Sequence, residues 1–188
     1  MSGGTVVDDL PEIHVLRMGH RIFRDRRISS HVALVARAHG ASGIIFSGQY
    51  DERLIHSVRE VVANWGGPFS VSYVKDWKQK IRELKEQNFF VLISTMYGVN
   101  LPEAIAEIRK AAEARDLLIV VGSEKMPPDV YELGDMNVAV TNQPSSEVAV
   151  LGIMLDWIFG GAELSKEFKD ARLKIIPQEK GKNVIKTR

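Results

Sequence analysis

Apolar and polar positions along this chain follow two rhythms, and the switching between them divides it into short strands and amphipathic helices. Residues 13–18 form an apolar run that predicts a strand. The arginine-rich stretch 19–30 then reads as a loop ending at Ser29 or Ser30 as an N-cap, followed by a helix over 31–39 that buries Val32, Val35 and Ala36 and stops at Gly40. GIIFS at 43–47 predicts a buried strand, and 52–65 an amphipathic helix with Leu54, Ile55, Val58, Val61 and Val62 inward, closed by Gly66 and Gly67. A strand over 69–74, a helix over 76–86, the strand FFVLIS at 89–94 and a helix over 103–114 behind Pro102 come next. The remainder predicts strands at 117–121, 138–140 and 173–176, with a helix over 146–159 that is apolar nearly all round and so belongs inside the fold or at a subunit interface.

Strands alternating with helices, several of the strands wholly apolar, predict an α/β fold with a mostly parallel sheet covered by helices on both faces. Ligands of such sheets bind beyond the carboxyl ends of the strands. Three loops fall there: STMYGVNLP (94–102), GSEKMPP (122–128) and VTNQPSSE (140–147).

With 188 residues, 45% of them hydrophobic and 26% charged, one domain over 1–188 is expected, with loose tails at 1–10 and 180–188. No apolar run reaches membrane-spanning length and no basic-then-apolar leader opens the chain, so a soluble, cytoplasmic protein is expected. The absence of cysteine removes disulfides, thiolate metal sites and thiol nucleophiles. The formal net charge of +1 conceals a strong asymmetry. Six arginines between Arg17 and Arg37 face a single acid, Asp25, whereas no Lys or Arg occurs from Met126 to Ser165. That basic segment and the Lys-rich tail suit a polyanion.

Gly122 in GSEKMPP lets a ligand approach the backbone, and Ser123 and Glu124 offer hydrogen bonds to a ribose or an amine; the same residues also suit a plain strand-to-helix turn. VTNQPSSE divides similarly between a ligand loop and a helix cap at Ser145 or Ser146. No glycine-rich phosphate loop, GxSxG or HExxH pattern occurs, and the histidines at 14, 20, 31 and 39 match no metal-ligand spacing, so no metal is expected.

Taken in order, five segments resemble the SPOUT methyltransferases, and among them the archaeal tRNA cytidine-56 2'-O-methyltransferase family. They are VLRMGHRIFRDRRISSHVALVARAHGASGI (15–44), STMYG (94–98), VVGSEKMPPDVYELGDMNVAV (120–140), TNQPSSEVAVLGIMLD (141–156) and KIIPQEKGKNV (174–184). The resemblance implies a deep carboxyl-terminal trefoil knot, S-adenosylmethionine as methyl donor, tRNA as substrate and a homodimer that completes the active site. It places the cofactor among Ser94, Gly122, Ser123, Glu124, Lys125, Met126, Val140, Thr141, Asn142, Gln143, Pro144, Ser145, Ser146 and Glu147. For activation of the ribose hydroxyl it points to Arg27, then Arg24 and Arg21, with His31 as the alternative proton acceptor. Phosphate anchoring is an equally good role for any one of these arginines. Two other outcomes stay open: a SPOUT enzyme modifying another RNA nucleotide, and a knotted RNA-binding protein without activity.

Overall fold

The computed structural model describes residues 11–123 and 125–187. Six parallel strands form the central sheet in the order β3-β2-β1-β5-β4-β6. They are β1 (Ile13–His20), β2 (Gly43–Gly48), β3 (Ser70–Tyr73), β4 (Phe90–Asn100), β5 (Leu117–Gly122) and β6 (Met136–Ala139). Between and after them run α1 (Ile22–Ala38), α2 (Glu52–Trp65), α3 (Trp77–Glu86), α4 (Leu101–Ala112), the short α5 (Val130–Leu133) and α6 (Glu147–Phe159).

Side-chain alternation along the strands splits the core in two. Ile13, Val15, Ile44, Phe46, Leu92, Ile119 and Val121 pack with α1, α2, α4 and α6. Leu16, Met18, Ile45, Val91, Ile93, Leu118 and Val120 pack against α3 and α5 on the opposite face. Helices therefore cover both faces, as the apolar strands require. No helix among the described residues is long and apolar enough to cross a membrane.

Three expectations change. The arginine-rich stretch read as a loop is the first half of α1, which starts at Ile22. Arginine is a good helix former, and the helix opens without a serine cap. Asp25 accepts hydrogen bonds from the backbone N–H of Arg21 at 3.1 Å and from its Nε at 2.7 Å, while Gln49 Oε1 accepts the N–H of Ile22 at 2.8 Å. Ser29 lies buried in the middle of α1, and Ser30 Oγ bonds back to the carbonyl of Arg27.

The second change concerns β4, which continues through the stretch read as a loop. Ser94 and Val99 both pair with Val138 of β6, so residues 95–98 leave the sheet and return to the same partner. Gly98 makes the return feasible, because a Cβ there would stand 2.4 Å from the Asn137 backbone.

The third is the carboxyl-terminal tail. Residues 180–188 were expected to be loose, yet β8 (Val184–Lys186) pairs antiparallel with β7 (Leu173–Ile175). The N–H of Ile176 donates to the Asn183 carbonyl and that of Thr187 to the Arg172 carbonyl, so backbone bonds outside the ladder hold the hairpin as well. The expectation for residues 1–10 lies outside the described residues.

α6 buries Leu151, Met154, Leu155 and Ile158 against α1, α4 and the sheet, roughly 2 kcal/mol of transfer free energy for each side chain. Ile153 and Trp157, one turn apart on its other side, remain exposed. Gly160, left-handed at φ 64°, ends the helix.

Candidate functional site

All six strands run the same way, and beside the excursion in β4 and beyond the ends of β5 and β6 lies a cleft of about 470 Å³. Sites for small organic molecules have this size. Three separate stretches of chain form its walls: Ser94, Thr95, Met96 and Tyr97 from the excursion in β4; Gly122, Ser123, Lys125 and Met126 after β5; and Val140, Thr141, Gln143, Pro144, Ser145 and Glu147 between β6 and α6. Val121, Tyr131 and Val150 add apolar surface.

The structure thus gathers most of the expected cofactor residues around one space. Asn142 is not on the wall; its side-chain amide donates to the carbonyls of Met96 (2.8 Å) and Gly98 (3.2 Å), tying two walls together. Ser146 occupies the N-cap position of α6, but its exposed side chain makes no capping bond. Glu124 lies outside the described residues. Thr95, Met96 and Tyr97 were missed as individual residues, although they belong to a loop whose position at a strand end singled it out.

Beneath the cleft lies a charge that the sequence did not single out. Position 17 continues the face of Ile13 and Val15, so the Arg17 side chain is wholly buried between the sheet and the helices. Its Nη2 donates to Glu147 Oε1 at 2.9 Å, its Nη1 to the carbonyl of Gly122, and its Nε to Ser29 Oγ at 3.4 Å. Both Glu147 and Gly122 are cleft walls, so one arginine supports two of the three stretches from inside. Burial lowers the Arg17 pKa, opposed by the hydrogen bond and charge of Glu147.

From Arg17 a chain of polar groups runs under α1. Ser29 Oγ lies 2.9 Å from His20 Nδ1, and His20 Nε2 stands 3.5 Å from Asp51 Oδ2, close enough to feel its charge without forming a hydrogen bond. Asp51 accepts from Arg26 Nε at 2.7 Å and caps α2 through the N–H of Leu54. Burial lowers the His20 pKa, against the pull of Asp51 and Asp25, and leaves the ring neutral near pH 7. Burial acts to raise the Asp51 carboxyl, but the bonds from Arg26 and the Leu54 N–H and the charge of Arg26 outweigh it, and the net direction is down.

The basic segment therefore divides by role. Arg17 and Arg37 are buried, the latter donating to the carbonyls of Trp65 and Gly66. Arg21 and Arg26 engage Asp25 and Asp51. Arg24 and Arg27 lie exposed on the outer side of α1, where they border a shallow depression with Phe23 and Arg53, and His31 is exposed one turn further along. None of the four expected catalytic side chains, Arg21, Arg24, Arg27 or His31, lines the cleft of its own chain. The exposed apolar residues Phe23, Ile28 and Leu34 of α1 join Ile153 and Trp157 of the adjoining α6 on the outside of the protein.

Comparison with known proteins adds an independent line. The family described as tRNA ribose 2'-O-methyltransferase, aTrm56, matches residues 65–185. A tRNA (cytidine(56)-2'-O)-methyltransferase of Thermococcus kodakarensis is 52% identical over 92% of this chain and 96% of its own length. The protein of the same name from Methanocaldococcus jannaschii is 51% identical over 93% and 96% of the two chains. Among solved structures, a TrmH/SpoU tRNA modifying enzyme of A. aeolicus superposes with a TM-score of 0.60 at 16% identity, covering 81% of this chain and 76% of that one. An AdoMet-bound rRNA methyltransferase of Sinorhizobium meliloti gives 0.58 at 18% identity, over 81% and 57%. At such identities the structural likeness speaks for the fold.

Proposed function

This chain belongs to the family of tRNA ribose 2'-O-methyltransferases, and from that premise we propose that its cleft binds S-adenosylmethionine and serves methylation of the 2'-hydroxyl of cytidine 56 in tRNA. The observation that carries the reading is the convergence of the excursion within β4 and the loops after β5 and β6 on one cleft at the carboxyl side of the parallel sheet.

The walls fit such a donor. Val121, Met126, Val140 and Val150 offer an apolar seat for a flat heterocycle; Ser123, Thr141, Gln143 and Glu147 offer hydrogen bonds to ribose hydroxyls and an ammonium. S-adenosylmethionine supplies an activated sulfonium methyl, so little is left for the protein beyond placing the ribose oxygen in line and easing loss of its proton. Arg17 holds Glu147 and the Gly122 carbonyl in place from below, so the walls meet the donor already oriented.

The arginines expected to act on the ribose face away from the cleft of their own chain. A homodimer resolves this: a second copy seated on the exposed apolar residues of α1 and α6 brings α1 of one protomer toward the cleft of its partner. In that arrangement Arg27 donates to the 2'-oxygen and stabilises the charge that grows on it while the hydroxyl proton passes to a neighbouring RNA phosphate, and Arg24 and Arg21 anchor phosphates. Threading of the carboxyl-terminal segment into a knot belongs to the same reading.

Unmodified tRNA transcript incubated with the protein and methyl-labelled S-adenosylmethionine, digested and mapped by mass spectrometry, tests it. The expected product is 2'-O-methylcytidine at position 56. Label on a base, on another ribose or on no nucleotide overturns the reading.

A further inference from the structure

A second cavity, of about 360 Å³, lies on the other side of the loop that follows β5. It opens beyond the ends of β1, β2 and β5, and Gly122, Ser123, Lys125 and Met126 form a wall common to it and to the donor cleft. We propose that this cavity seats one unstacked nucleotide of the RNA substrate, a neighbour of the one whose ribose is methylated. The inference rests on the reading of the larger cleft as the methyl-donor site.

Three features of the cavity point to a nucleotide. Its floor includes Ser47, which is wholly buried and whose hydroxyl has no hydrogen-bond partner among the described residues. Buried hydroxyls almost always have a partner, and one left over beside a cavity is matched to a polar group brought from outside, such as a base edge or a ribose hydroxyl. Its rim carries the exposed Lys75 and Lys125, neither of which joins an ion pair among the described residues, as phosphate contacts require. The half-buried Trp77 also lines it and brings indole surface against which a base can stack. Sequence-tolerant stacking with flanking cations is how proteins hold bases splayed out of single-stranded or loop RNA. A site that shares a wall with the donor cleft suits the nucleotide next to the target.

Lys75→Ala, Lys75→Arg, Ser47→Ala and Trp77→Leu variants are compared with the parent for affinity to unmodified tRNA transcript, for affinity to S-adenosylhomocysteine by calorimetry, and for single-turnover methylation. If the parent itself neither binds S-adenosylhomocysteine nor methylates tRNA, the reading of the larger cleft fails, whatever the variants do. With that reading intact, Trp77→Leu is expected to weaken tRNA binding at least about fivefold. Lys75→Ala weakens it with a dependence on salt shallower by about 0.7 in the logarithmic slope, and Lys75→Arg restores both. S-adenosylhomocysteine affinity stays within about twofold of the parent in each, since none of these side chains touches the donor cleft. Unchanged tRNA affinity in Lys75→Ala, an exposed position whose truncation leaves the fold intact, overturns the proposal even if Trp77→Leu melts. A loss of S-adenosylhomocysteine affinity in Lys75→Ala and Ser47→Ala overturns it too, by giving the cavity to the donor.

Discussion

Replacing Arg17 with methionine keeps the unbranched stem that fills the space under the cleft and removes every donor of the guanidinium. Breaking a buried ion pair ordinarily costs about 3–5 kcal/mol, because the surviving charge is left unpaired. Here the surviving partner, Glu147, is 30% exposed and can turn to water, so most of that penalty is relieved. What remains is the loss of hydrogen bonds to the Gly122 carbonyl and Ser29, roughly 1 kcal/mol each, with some residual cost at Glu147. The expected total of about 2–3 kcal/mol lowers Tm by roughly 5–10 °C in a chain of this size. Because Glu147 and Gly122 are cleft walls, S-adenosylhomocysteine binding weakens about tenfold as well, which corresponds to ~1.4 kcal/mol. Thermal melts and calorimetry on Arg17→Met, Glu147→Gln and the double variant measure both effects, and the two positions should be coupled by about 1 kcal/mol. A variant melting within about 2 °C of the parent and binding S-adenosylhomocysteine equally well would show that Arg17 supports nothing.

Acid should destabilise the fold in two stages. The unfolded His20 ring takes up a proton near pH 6.5 while burial holds the folded ring's pKa lower, so stability falls as pH drops below about 6.5. Asp25, lowered by its bond to Arg21, and Asp51 add a second loss as pH falls below the ordinary carboxylate value of about 4 toward their own depressed values. Urea melts from pH 3 to 8 check both, and in His20→Gln the first stage should vanish. Glu163 behaves oppositely: it is buried, neither carboxylate oxygen has a hydrogen-bond partner among the described residues, and burial, then Asp156, push its pKa up. Glu163→Gln should therefore raise Tm at pH 7 by roughly 2–4 °C per kcal/mol relieved, with the gain fading as pH falls through the raised value toward about 4.5. Trp157→Glu should convert a dimer into a monomer of unchanged fold in sedimentation, with methylation reduced at least tenfold; a monomeric parent refutes the shared-site arrangement. Arg27→Ala should slow single-turnover methylation by about 10²-fold or more with tRNA affinity changed much less, and equal losses in both would mark it as a phosphate anchor.

The sheet and its helices were legible because their apolar periods are strong: α2 begins and ends where its pattern does, and β1, β2, β4 and β5 start on apolar runs, whereas β3 shows only alternation and β6 begins at Met136, two residues before the expected 138–140. The three loops were legible because strand ends are where ligands sit in such sheets, and the individual wall residues were given by the family resemblance. The start of α1 was not, because a window of arginines carries no apolar period and its first turn is held by Asp25 and Gln49, the latter 27 residues away in sequence from the Ile22 it caps. Arg17 was read as part of a surface patch. Only strand parity, which puts it on the face of Ile13 and Val15, reveals that it is interior, and its partners Ser29 and Glu147 come from helices 12 and 130 residues distant. The polar chain from Ser29 to Asp51 was hidden because Ser29 read as a cap and its neighbours His20 and Asp51 come from other elements.

The way β4 leaves and rejoins β6 at the same partner residue separates two properties that are usually linked. Val138 fixes both ends of the detour, so the number of residues between Ser94 and Val99 can change without moving any strand out of register. Length variation at this point redraws one wall of the cleft and leaves the strands in register so long as Gly98 is kept, which makes residues 95–97 the place to graft new sequence when the cleft is to admit something else.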